Sequence, residues 1–280
     1  MKKHLSTIIL VLVFLIGLSV LLYPTISDYV NSIHQSRAIA DYSATLKDYT
    51  ETDVTEELTA ADDYNAALRK TPMAFYNPKL VDGYKNLLNV KGTGIMGYIS
   101  IDKIKVKLPI YHTTDESVLQ VAVGHLEGSS LPVGGAGTHC VLSGHRGLPS
   151  AKLFSDLDKL EIGDTFVITV FDRKLTYRVD QIKVVLPTEV EDLQIVDGED
   201  YCTLMTCTPY GINSHRMLVR GTRVENAVDT PDGYVVPEAR QIDPIIITSA
   251  IAAPILLILL AVLLVKYRGE RAKEDEKKKK

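Results

Sequence analysis

The pattern of apolar and polar positions divides the chain into three textures. Residues 5–23 and 245–265 are apolar runs without a charged side chain. Each is long enough to span a bilayer as a helix. From about Tyr29 to Lys70 the chain is polar and acidic, with Ile39, Tyr42, Leu46 and Tyr49 spaced by three and four. That spacing predicts one amphipathic helix, or two, forming a stalk or packing on a neighbouring domain.

From Gly94 the texture changes to short β-branched runs broken by glycine and proline. Runs at residues 97–101, 106–111, 138–144, 165–171, 175–179, 181–185, 201–207 and 216–221 read as strands of a barrel or sandwich. Two short helices are expected among them. One covers residues 115–121, the other residues 150–160, where Leu153, Leu157 and Leu160 would share a face. About 135 residues of this texture can bury a core without disulfide staples.

Charge adds direction. Lys2 and Lys3 precede the first apolar run, and a lysine-rich tail from Lys266 follows the second. Basic residues flank both spans on their terminal sides, so the positive-inside rule puts both termini in the cytoplasm and the residues between them outside. No small-x-small cleavage site follows Tyr23, so the first run reads as an uncleaved anchor rather than a signal peptide. The overall charge is −4 although both ends are basic, so the segment between the spans is acidic. An acidic ectodomain without a basic patch argues against a nucleic-acid partner. Internal repeats, paired Cys-x-x-Cys motifs, EF-hand loops and phosphate-binding glycine motifs are all missing from the sequence, so neither a metal nor a cofactor is expected.

Candidate chemistry rests on cysteine. There are three, Cys140, Cys202 and Cys207, and an odd number outside the cell leaves at least one unpaired. Cys207 ends an apolar run and precedes Thr208-Pro209-Tyr210-Gly211, which must turn; a group at such a junction is rigidly held yet reachable. A thiol attacks only as thiolate, so a base and a cation are expected nearby. His145, where Gly144 and Gly147 bend the chain after a strand, is one candidate base, and His125 is its rival. Acyl transfer passes through an oxyanion, which calls for a permanently charged donor. Arg216 and Arg220 both qualify, and spacing does not choose between them. Cys140 and Cys202 each lie five residues before His145 and Cys207. If those strands are parallel neighbours, the two thiols sit side by side, facing away from the site. Two buried, reduced thiols are then expected rather than a disulfide.

"TLMTCTPYGINSHRMLVRG" together with "HCVLSGHRGLPSAKLFSDLDKL" resembles the sortase family, specifically its class C, pilus-assembling type, and the resemblance covers about Asn89 to Arg223. It implies a mainly β fold, an eight-stranded β-barrel with short helices. It also implies Cys207 as nucleophile, His145 as acid/base and Arg216 as the substrate-positioning, oxyanion-stabilising residue, leaving Arg220 a structural or rim position. The implied reaction cleaves an LPXTG-type sorting signal between Thr and Gly through a thioester. The acyl group then passes to a lysine amine of another pilin subunit. Pilins bearing such signals are the expected partners, at the membrane. A sortase joining surface proteins to a peptidoglycan amine is the alternative, and an inactive adhesion or scaffold barrel a weaker one.

Class C sortases usually carry a lid with an Asp-Pro-aromatic motif. Here neither Thr71-Pro72-Met73 nor Asn77-Pro78-Lys79 supplies both acid and ring. Phe75 and Tyr76 are left as a possible lid that plugs the groove sterically, or as residues packed on the barrel surface. The expected organisation is an anchor at 1–23, a helical stalk and degenerate lid at 24–88, the catalytic barrel at 89–226 and a linker at 227–244. A second transmembrane helix at 245–265 and a basic cytoplasmic tail at 266–280 complete it.

Overall fold

The computed structural model describes residues 2–226 and four further positions, Pro254, Leu257, Leu260 and Ala261, which are helical. The expected linker, the other positions of the expected second transmembrane helix and the expected basic tail lie outside the described residues. Asp28–Thr230 forms one compact unit.

Eight strands close into a barrel: β1 (Ile95–Ile101), β2 (Val106–His112), β3 (Val123–His125), β4 (Thr138–Ser143), β5 (Thr165–Val170), β6 (Arg173–Val185), β7 (Asp200–Thr208) and β8 (His215–Val224). Their order around the barrel is β1-β2-β3-β4-β7-β8-β6-β5, closing on β1. The β2–β3 and β4–β7 pairs are parallel. Closure leaves no unpaired edge. Alternate residues of each strand point inward, so Ile99, Ile101, Leu142, Phe166, Ile168, Leu204 and Val219 fill the interior and are fully or almost fully buried.

Two long helices precede the barrel, α1 (Lys2–Leu46) and α2 (Glu51–Lys70). A capping box starts α2: the Thr50 hydroxyl accepts from Asp53 N, and the Asp53 carboxylate accepts from Thr50 N. Its buried stripe, Leu58, Ala61, Tyr64, Asn65 and Leu68, has the spacing of one helix face. Asn65 holds the Leu131 backbone with both ends of its amide, accepting from N at 2.7 Å and donating to O at 3.1 Å. The Tyr42 hydroxyl of α1 donates to Met96 O and accepts from Phe171 N. The segment therefore packs on the barrel rather than standing off as a stalk, since Tyr42, Leu58 and Leu68 share one buried cluster with the barrel interior. Among the described residues α1 is the one helix long and apolar enough to cross a membrane.

The strand count agrees with the sequence pattern, but the eight are not the same eight. Residues 175–179 and 181–185 belong to one long strand, β6, whose register shifts between Val179 and Gln181. Asp180 falls in that bulge, which is why the polar break reads as a strand end. In turn, β3 is three residues long and too short for alternation to reveal. The expected helix at residues 150–160 is instead a series of turns with a 3₁₀ turn at Leu157–Lys159. Leu153, with φ of 40°, cannot be helical, yet all three leucines are buried. Residues 115–121 do hold a short helix, α3 (Glu116–Leu119).

A buried histidine gives the barrel an acid sensitivity. His139 on β4 is enclosed between Gln194 O at 2.8 Å and the Thr203 hydroxyl at 2.7 Å. Burial holds its imidazole down to about 4. The unfolded chain therefore takes up the proton first as pH falls below about 6.5, and stability present above that value is lost progressively towards pH 4. Going from pH 7 to 5 should cost about 2 kcal/mol at this residue. Burial also lowers His112 and adds in the same direction. Urea denaturation at the two pH values measures the loss; equal midpoints would contradict it.

Candidate active site

The antiparallel β7–β8 ladder pairs Cys207 with Arg216 directly across the strands. Leu204 and Cys202 of β7 face the interior, so Met205 and Cys207 lie on the outer face, together with Leu218 and Arg216 of β8. On the other side of β7, β4 runs parallel with Cys140 opposite Cys202 and Ser143 opposite Met205. Continued by two residues, that register brings His145 level with Cys207. The bond from Gly144 N to Met205 O, 3.1 Å, and that from the Thr206 hydroxyl to Gly144 O, 2.7 Å, carry the pairing past the strand end. Glycine is required at 144 by closeness, because a Cβ there would lie 2.7 Å from the Phe154 ring. At 147 it is required by conformation, with φ of 79°.

The His145 Nε2 is buried without a hydrogen-bond partner and lies 3.6 Å from the Glu116 carboxylate on α3. Arg216 Nη1 is tied to Asn213 O at 3.3 Å and His215 O at 3.1 Å. No described carboxylate pairs with it, so its remaining donors are available to a ligand. Such a set can form and resolve an acyl-thioester, with thiol, imidazole and guanidinium lying on three neighbouring strand ends. Arg220 is differently occupied. It forms a two-point ion pair with Asp180 at 3.0 and 2.7 Å and lies 4.1 Å over the Tyr201 ring. His125 is completely buried, its ring between the Tyr84 hydroxyl at 3.0 Å and Ser130 O at 2.8 Å.

Glu116 and Arg146 were not singled out from the sequence. Arg146 pairs with Asp158, reaches the Thr208 hydroxyl and lies over the Tyr210 ring, so it ties the His145 loop to the end of β7. Adjacency to His145 in "GHRG" was the available signal for Arg146; Glu116 had none. Phe75 packs on the outer face of the sheet against Val141, Leu193 and Leu218. Tyr76, 57 % exposed, meets the Phe75 ring edge-on. A cavity of about 290 Å³ lies under this segment, lined by Phe75, Tyr76, Ser129 and Leu193 among others.

Cys140 and Cys202 are buried, free thiols side by side inside the barrel, and Cys207 is partly exposed. Burial pushes the Cys202 thiol up, away from thiolate. Because Cys140 and Cys202 are both closed to solvent, a thiol reagent applied to the native protein should label Cys207 rapidly and the other two at least about a hundredfold more slowly. Mass spectrometry after brief exposure reads this; native labelling at Cys140 or Cys202 would contradict the packing described.

The family description "Sortase domain" matches residues 99–224. The fold resembles the crystal structure of sortase C1 from Streptococcus agalactiae, with a TM-score of 0.63 and 50% identity, covering 68% of this chain and 100% of that one. It also resembles sortase C from Streptococcus pneumoniae, a structure described as giving insight into catalysis and pilin substrate specificity. There the TM-score is 0.63 and the identity 44%, over 68% of this chain and 97% of that one. Among curated proteins, Sortase A of Bacillus anthracis is 29% identical over 46% of this chain and 60% of its own length. The matched stretch thus spans less than two thirds of that relative.

Proposed function

The chain belongs to the sortase family, and from that membership we propose that it is a class C cysteine transpeptidase that polymerises pilins at the extracytoplasmic face of a membrane. The observation that carries the reading is the register: Cys207 and Arg216 are cross-strand partners, and the β4–β7 register, continued two residues past Ser143, brings His145 level with them.

In this reading the Cys207 thiolate attacks the Thr carbonyl of an LPXTG-type sorting signal. Arg216 donates to the oxyanion, which a guanidinium can do at any physiological pH. His145 gives a proton to the departing glycine amine, leaving the pilin as a thioester on Cys207. A lysine amine of another pilin then attacks that thioester, His145 takes the amine's proton, and an isopeptide bond forms as the thiolate leaves. Phe75 covers the apolar outer face leading to Cys207, so it serves as a steric lid and must move when a sorting signal enters. Tyr76 supports it from the solvent side. Residues 1–23 and 245–265 anchor the enzyme with both termini in the cytoplasm. A membrane-retained substrate is then met at raised effective concentration.

Incubating the enzyme with a pilin, and separately with a sorting-signal peptide and a soluble amine, tests the reading. A ladder of pilin oligomers supports polymerisation. A single amine adduct without a ladder transfers the assignment to surface-protein anchoring.

A further inference from the structure

Three side chains on one face of α1 bond to the loops that surround the candidate site. Asp28 Oδ1 accepts from Lys152 N at 2.7 Å, and Asn31 Nδ2 donates to Ser150 O at 2.7 Å. One turn on, Gln35 Nε2 donates to Val121 O at 2.8 Å. Positions 28, 31 and 35 have the three-and-four spacing of a single helix face. Their partners are backbone groups in two segments of particular interest. Ser150 and Lys152 belong to the loop that follows His145, and Val121 lies just beyond α3, which carries Glu116. The helix thus holds both segments whose side chains meet at the 3.6 Å contact between Glu116 and His145.

That support matters because the site is unevenly built. Cys207 and Arg216 are fixed by a continuous strand ladder. His145 lies beyond the end of β4, in a loop held by side-chain and single backbone bonds instead of a ladder: Gly144 to Met205 and Thr206, Arg146 to Asp158 and Thr208, Phe154 N to His145 O, and Gly147 N to the Ser155 hydroxyl. Proton transfer between an imidazole and the reacting atoms depends steeply on separation, so a loosely held ring would limit turnover.

We propose that Asp28, Asn31 and Gln35 are positioning residues for catalysis, acting by clamping the His145 loop and the end of α3. The proposal rests on the transpeptidase reading above. None of the three touches substrate; their effect passes through the backbone at Ser150, Lys152 and Val121. Asp28 acts as an acceptor oxygen and needs no charge for that.

The test uses the full-length chain in detergent or lipid nanodiscs, with rates expressed per Cys207 titrated by a thiol reagent, so that misfolded protein is not counted. The double variant Asp28→Ala/Asn31→Ala should lose about tenfold in kcat for sorting-peptide cleavage, with KM changed less than about twofold. Asp28→Asn, which keeps the acceptor oxygen, should retain the wild-type kcat, whereas Asp28→Ala should not. Amide hydrogen exchange at Lys152 should speed up in Asp28→Ala and stay as in the wild type in Asp28→Asn. An undiminished kcat in the double variant, equal losses in Asp28→Asn and Asp28→Ala, or unchanged exchange at Lys152 in Asp28→Ala would each overturn the proposal. If the wild type cleaves no sorting peptide, the transpeptidase reading fails by itself, and exchange at Lys152 still decides whether the helix holds the loop.

Discussion

Replacing Cys207 by alanine should remove transpeptidation altogether, with turnover falling by about 10⁴-fold or more while the protein stays folded. The sulfur would form the covalent bond to substrate, and no neighbouring group can take its place: Cys140 and Cys202 face the barrel interior and are closed to solvent. The fold should tolerate the change because Cys207 is partly exposed on the outer face of β7, two residues before the strand gives way to the turn. Two measurements check this. Intact-mass spectrometry after mixing with a sorting peptide should show an acyl adduct on the wild type and none on the variant. Circular dichroism should show matching β content. An adduct on Cys207→Ala would remove the nucleophile assignment.

The second large effect separates two arginines on the same strand. Arg216→Lys should lose about 10²-fold or more in kcat/KM, because a planar fork aimed at an oxyanion is not replaced by a single ammonium. Arg220→Lys should stay within about threefold of wild-type activity and instead lose about 1 kcal/mol of stability, through its two-point pair with Asp180 and its stacking on Tyr201. Steady-state cleavage rates and urea midpoints, measured on both variants, give the comparison. The reverse ordering of activities would move the oxyanion role to Arg220.

Parts of this site could be read from the sequence because strand periodicity carries spatial information. Equal offsets from Cys140 to His145 and from Cys202 to Cys207 anticipated the parallel β4–β7 register, which the structure has residue for residue. The choice between Arg216 and Arg220 needed resemblance rather than spacing, since both lie at even intervals on β8. The structural observation that favours Arg216 is the Asp180 carboxylate, which reaches Arg220 from β6 and engages it. His125 was a rival only because burial is invisible in one sequence; enclosed by Tyr84 and Ser130, it has no surface to offer a substrate. Glu116 and the α1 contacts were illegible because exposed polar residues carry no periodic signal, and their partners lie far away in sequence. Leu153, Leu157 and Leu160 were read correctly as buried and wrongly as helical, for spacing alone does not reveal a positive φ at Leu153.

The parallel pairing of β4 with β7 also determines when the site can come into being. The Thr206 hydroxyl reaches Gly144 O across 62 residues of chain, and all of β5 and β6 lie between them. A parallel pair of this separation cannot form as a local hairpin, and its loop-closure entropy must be met before any of its contacts is gained. Cys207 and His145 therefore come together only once the long-range topology is in place. Until then Cys207, His145 and Arg216 are held apart by the unfolded chain, so the candidate site is a product of the completed barrel and of no smaller fragment.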